Sequence, residues 1–241
     1  MHNHLKALII LGLVVLCCTP VSIAQSGTYV TVRDLEAWSS LQLKYKIDKK
    51  WSVSLEEQLR LRDDASNVDI YFSELGLNYK MSKKFALGFG ARFIRDNDDV
   101  GKIQGYENHF RWNTDAMYKH KLDAFNFKYR LRYQSKNELG ITKAAGDLPT
   151  NTVRFKFGTD YNFKSWKFDP EFSTEIFNKL QPNEGFDKIR FTLGTTYKTK
   201  KIGDFGAYFR MENELTGTNP KTTNIIGFKY KYTLKRKKNE A

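Results

Sequence analysis

The chain has few of the residues that staple a fold or hold a metal. Its 241 residues contain two cysteines, Cys17 and Cys18, both in an apolar stretch near the N-terminus. Beyond residue 24 there is no thiol, which excludes disulfides and thiolate metal sites from that part of the chain. Two histidines remain there, His109 and His120, and they do not stand two or four residues apart. The sequence therefore offers no metal-ligand cluster, and neither a metal nor a cofactor is expected. After ALIILGLVVLCC (residues 7–18) there is no long apolar run, and nothing reads as an amphipathic helix. If this chain enters a membrane, it must do so as a closed barrel, because only closed strand pairing satisfies every backbone group in lipid.

The N-terminal stretch has the form of an export signal. Lys6 supplies the charge, the apolar run follows, and Ser22-Ile23-Ala24 offers small residues for cleavage. The run is short against the ~20 residues that span a bilayer. Residues 1–24 are read as a secretory signal peptide, with the mature chain starting at Gln25. The remaining 217 residues (241 minus 24) suit one β domain. Lys6 is the only charge lost, so the formal net charge falls from +13 to +12. Such a basic balance suits nucleic-acid binding, but an exported chain meets little nucleic acid, and none is expected as a partner.

What fills the rest is alternation. In FNFKYRLRYQ (residues 125–134) the odd positions Phe125, Phe127, Tyr129, Leu131 and Tyr133 are apolar or aromatic, while Lys128, Arg130 and Arg132 stand between them. A period of two is that of a β-strand with two unlike faces. Ten further stretches of the mature chain repeat the pattern, and Thr28–Val32 is a candidate for a twelfth strand. Glu57 interrupts one apolar row, read as a contact between barrels or a slip in register. One set of connections is short and lysine-rich, as in Asp48-Lys49-Lys50 and Ser82-Lys83-Lys84. The alternate set is longer and richer in acids, Gly, Asn and Pro, as in RDDASNVD and SKNELGITKAAGDLPTN. Antiparallel strands put successive connections at opposite ends, so this alternation predicts short turns at one end and long loops at the other. Tyr45, Tyr79, Tyr118, Tyr161, Tyr197 and Tyr232 all fall at the short-turn ends, where Trp51 and Phe85 open the following strands. Sorted loops and an aromatic girdle are the marks of an outer-membrane barrel; a soluble sandwich has no reason for either. The expected architecture is all-β, an antiparallel up-and-down transmembrane β-barrel of about 10–12 strands over 25–234. A basic tail, 235–241, is expected in the periplasm. Its partners would be outer-membrane lipid and the barrel-assembly machinery.

The stretches YKIDKKWSVSLEEQLRLR and LNYKMSKKFALGFGARF, preceded by Trp38, resemble the outer-membrane barrels grouped as domain of unknown function 2490, frequent in Bacteroidetes. The resemblance runs over essentially the whole mature chain. It implies the fold and an outer-membrane location, and brings no reaction or catalytic residue.

The strand parity places a charged wall in the lumen. Its cations are Arg60, Arg62, Arg92, Arg111, Lys128, Arg130, Arg132, Arg154, Lys156, Arg190 and Arg210. Its acids include Glu56, Glu74, Glu107, Asp115, Asp160, Glu171, Glu175 and Glu212. One reading is a plugged interior in which these charges pair, as a barrel this narrow permits. The other is a narrow anion-preferring pore. A barrel-embedded lipid hydrolase or acyltransferase is the alternative in a different class. It would use His109, two residues from Glu107 on the polar face; His120 is read as part of a lysine-rich turn.

Overall fold

The computed structural model describes residues 33–98, 104–141, 148–163, 167–182, 184–199, 201–217 and 219–235. The expected signal peptide, the candidate strand at 28–32 and the tail from residue 236 lie outside these. Eleven strands follow in chain order: β1 (Arg33–Lys46), β2 (Trp51–Arg62), β3 (Asn67–Lys80), β4 (Phe85–Asp98), β5 (Gly105–Leu122), β6 (Phe125–Glu138), β7 (Thr150–Tyr161), β8 (Phe168–Lys179), β9 (Phe186–Lys198), β10 (Asp204–Glu214) and β11 (Thr222–Lys235). Lys235, assigned above to the tail, ends the last strand.

Each strand pairs antiparallel with its sequence neighbour, and β1 closes on β11. The closing pair is parallel, from Arg33 opposite Thr222 to Lys46 opposite Lys235. Parity explains this: in an up-and-down series with an odd number of strands, the first and last run the same way. Closure leaves no sheet edge.

The amphipathicity is the inverse of a soluble core. Among the described residues, five apolar side chains are buried against sixteen polar or charged ones, while Leu41, Leu75 and Phe228 are each at least 60% exposed. The alternating rows read from the sequence are the outward rows. Glu57 does lie outward, and its carboxylate is answered within the sheet: the Tyr71 hydroxyl donates to it, as does the Ser73 hydroxyl at 2.6 Å. These donors stand on β3 beside it, with Ser73 directly opposite in register, so neither a second barrel nor a slipped strand is needed.

Two turns show how short sequence fixes geometry. In Asp48-Lys49-Lys50-Trp51, the Asp48 carboxylate accepts from the N–H of Lys50 at 2.7 Å and of Trp51 at 2.6 Å. Donation from Trp51 and then Lys50 holds this carboxyl below its ordinary range. In Ser82-Lys83-Lys84-Phe85, the Ser82 hydroxyl accepts from the N–H of Lys84 and Phe85 at 3.1 and 3.0 Å. A side-chain oxygen, of Asp in one and Ser in the other, thus closes each turn and leaves two exposed lysines in it. The connections at this end are 47–50, 81–84, 123–124, 162–167 and 199–203; those at the other are 63–66, 99–104, 139–149, 180–185 and 215–221. The asymmetry is partial: 162–167 is as long as 99–104 and 180–185, and 63–66 is as tight as a short turn because β2 and β3 extend into RDDASNVD from both sides. Asp63, Asp64 and Ala65 each adopt φ between 53° and 61° to make it.

At the short-turn end, aromatic rings pair across strands: Trp51 with Tyr79 at 4.5 Å between centroids, Phe85 with Tyr118 at 4.7 Å, Phe125 with Tyr161 at 4.8 Å, and Phe168 with Tyr197 at 5.1 Å. Each such pair adds about 0.5–1.5 kcal/mol beyond its buried area. The expected girdle is present as packed rings. His120 belongs to it rather than to a turn. It lies within β5 and stacks on Phe127 and Tyr129 at 5.0 and 5.8 Å, because β5 and β6 run on to a connection of only 123–124.

Inside, glycines make room for one large side chain. Tyr208 on β10 faces Gly194 on β9 and Gly227 on β11, and a Cβ at Gly227 would stand 2.0 Å from the Tyr208 Cζ. Gly227→Val is expected to destabilise the barrel by about 1–3 kcal/mol or more through overpacking. Urea unfolding in detergent would measure it, and Tyr208→Ser in the same chain should restore most of the loss. Equal losses with and without Tyr208 would contradict the contact.

Candidate functional site

The lumen has two unlike halves. Its middle and long-loop half is filled by paired charges on aromatic rings. Glu175 on β8, 2% exposed, accepts from Arg130 at 2.6 Å and Arg154 at 3.0 Å through one oxygen, and from Arg190 at 3.4 Å through the other. Arg154 also donates to Gln134 at 3.0 Å. Arg190 forms a second ion pair with Glu212 at 2.5 Å, which Lys188 joins at 3.1 Å. On the other side, Glu74 accepts from Arg92 at 2.6 Å and Arg111 at 3.0 Å. Arg132 grips both oxygens of Asp115 at 2.7 and 2.8 Å, the bidentate geometry a guanidinium favours.

Rings carry the charges that carboxylates do not. The Arg60 guanidinium lies 3.7 Å from the centroid of Trp38, with Arg210 at 4.9 Å and Arg190 at 5.8 Å. Arg92 lies 3.3 Å over Phe72, and Arg154 lies 4.3 Å over Phe177. Such contacts, out of water, are worth about 2 kcal/mol. Trp38 donates its indole N–H to Glu36 at 2.7 Å. Since β11 and β10 separate β1 from β9 in the sheet, the approach of Arg190 to Trp38 crosses the lumen. Arg60 and Arg210 complete their bonds with Gln58 at 2.8 Å and Thr192 at 3.1 Å.

Nearer the long loops, Arg62 bonds Asp69 at 3.3 Å and the Asn97 carbonyl at 3.1 Å. Glu107 approaches His109 at 3.2 Å, with Asp96 at 3.9 Å, and Lys136 bonds Asp96 at 3.2 Å. Among the described residues no serine or threonine hydroxyl bonds His109, so none of them stands as a nucleophile beside this pair.

The short-turn half is hollow. Several positions there are small (Ser52, Gly158 and Ser173), and they border a cavity of about 920 Å³. Ten lysines and two arginines line it, against one acid, Glu171. Glu171 is engaged by Lys229 at 3.1 Å and Thr196 at 2.8 Å, and Lys128 pairs with Asp160 beside it. Lys156 stands in register between Arg130 and Glu175, but three guanidiniums already surround that carboxylate. Among the described residues Lys156 has no ion-pair partner. Glu56 accepts one bond, from Gln42 at 3.3 Å.

The structure divides the wall residues named from the sequence. Most of the arginines and their acids build the plug, while Lys128, Lys156, Arg130, Arg210 and Glu171 border the cavity. Sequence reasoning missed the apolar members of the interior, Phe72, Phe177, Ile94 and Ile225, which are 9% exposed or less. Their signal was parity: Phe72 lies two residues from Glu74, and Phe177 two from Glu175. It also missed the lysine chamber as a unit, since its members come from most of the strands and two turns.

No curated protein matches this sequence. The family model described as "Protein of unknown function (DUF2490)" matches residues 35–223, from the first strand to the start of the last. The chain therefore belongs to the DUF2490 family.

Proposed function

We propose that the chain is an outer-membrane barrel closed at mid-lumen, which acts as a binding protein for anions rather than as a pore or an enzyme. The observation that carries this is the division of the lumen: a charge-paired plug on one side, and on the other an open chamber lined by eight strand cations and one acid, with four turn lysines at its mouth. A conducting barrel leaves its charged wall to water, whereas here Trp38, Phe72, Arg92, Arg132, Arg154 and Glu175 are all 8% exposed or less. The exposed apolar outer rows and the aromatic belt support lipid as the surrounding medium. The export signal read in residues 1–24 supports delivery to the outer membrane. On this reading the barrel-assembly machinery inserts the chain, the short turns and the chamber mouth face the periplasm, and the turn lysines meet the inner-leaflet headgroups, each contributing about 1 kcal/mol where lipid is anionic.

The absence of cysteine beyond residue 24 makes a clean topology test. A cysteine replacing Leu148, which is 74% exposed, should react with an impermeant maleimide in intact cells. One replacing Lys83 in the short turn should react only after the outer membrane is permeabilised. The protein should also stay with membranes through carbonate extraction. Reversed labelling, or release by carbonate, would overturn the reading.

A further inference from the structure

We infer that the lysine chamber is a binding site for a multivalent phosphate anion, entering from the short-turn end. The inference rests on the closed-barrel reading above and names the ligand class of its chamber. Three observations carry it. The first is imbalance. In the plug nearly every cation has a carboxylate or a ring face, but of the cations around this cavity of about 920 Å³ Lys44, Lys80, Lys119 and Lys156 have no ion-pair partner among the described residues, four more lysines ring its mouth, and the one lining acid is already bonded to Lys229 and Thr196. Like charges this close repel, and a bound anion is the simplest relief. One monovalent ion would leave most of the charge in place; a polyanion answers it.

The second observation is the kind of cation. Arginine, whose planar fork matches a carboxylate, is spent on Asp115, Glu74, Glu175 and Glu212. The chamber is left mostly to lysine, a compact point charge that receives phosphate oxygens from any direction. The third is depth. Lys44, Lys80 and Lys119 stand near the short-turn ends of their strands, and Lys156, Arg130 and Arg210 stand deeper, next to the Thr192 hydroxyl and Tyr208. Cations at both levels suit an extended ligand with phosphates at more than one position. The volume lies at the upper end of the range of small-molecule sites, ~300–1,000 Å³. The phosphates belong either to a soluble periplasmic molecule or to a lipid headgroup.

The test uses the full folded barrel in detergent, titrated calorimetrically with inorganic tripolyphosphate at 150 mM NaCl. Saturable one-site binding is expected, weakened at least tenfold in the double variant Lys44→Gln, Lys156→Gln. It should change less than twofold in Lys121→Gln, Lys235→Gln, which removes the same charge outside the chamber. In nanodiscs, loss of tripolyphosphate binding on adding phosphatidic acid to phosphatidylcholine points to a lipid headgroup; retention points to a soluble phosphate. Absent saturable binding, or equal weakening in both double variants, overturns the inference, as does tighter binding of pentaglutamate than of tripolyphosphate. Failure here with a protein that keeps its heat-modifiable gel migration and passes no current removes the ligand and leaves the closed barrel standing; a wild-type barrel that conducts removes the closed barrel itself.

Discussion

Glu175→Gln is expected to destabilise the barrel by about 3–5 kcal/mol, the range for removing one partner from a buried ion network. The replacement keeps the shape and removes only the charge. Arg130, Arg154 and Arg190 all point at this carboxylate, and none of the three can deprotonate to escape. Loss of Glu175 leaves only Glu212 beside Arg190 and no ion-pair acid for Arg130 or Arg154 among the described residues. The urea midpoint in detergent should fall accordingly. Lys128→Gln serves as the contrast: its side chain is 57% exposed, and the buried Asp160 carboxylate it leaves behind still accepts from Asn126 at 2.7 Å, so the loss should fall well short of that range. A Glu175→Gln variant as stable as Lys128→Gln would contradict the plug as an electrostatic unit.

Trp38→Ala should cost a comparable amount, about 3–5 kcal/mol for emptying a buried tryptophan site. The ring is 4% exposed and forms the floor beneath Arg60, with Arg190 and Arg210 at its margins. Its removal opens a void among three cations and frees Glu36 from its indole donor. Trp38→Phe keeps a ring face and loses only the N–H, so it should fall well short of the alanine variant. If phenylalanine and alanine prove equally destabilising, the hydrogen bond to Glu36 and not the ring holds the plug.

The fold was legible because the alternation is long and unbroken. Phe125 to Gln134 reads as a strand from its own ten residues, and ten other stretches agree. What sequence could not settle was closure, since nothing local to β1 or β11 says that they pair in parallel across the seam. The loop at 63–66 was misjudged because polar residues such as Asn67 and Asp69 look like loop while they continue a strand at the rim. His120 was misplaced for the same reason, surrounded by lysines yet stacked on rings. At the site, parity pointed to many of the interior charges, Glu175 and Arg154 among them, but passed over others such as Glu36, Asp69, Lys188 and Lys229. It could not tell which charges pair, because pairing depends on depth and on contacts between strands that are not neighbours, such as Lys229 with Glu171. The aromatic floor was hidden for a simpler reason: Phe72 and Phe177 interrupt polar rows, and rows are found by what repeats in them.

The central claim is that the barrel is closed at mid-lumen. Purified wild-type protein in a planar bilayer at high KCl tests it most directly. The account predicts no unitary conductance above the bare bilayer. A stable conductance step carried by the wild type, with its anion preference inverted by Arg130→Glu and Arg132→Glu together, would contradict it.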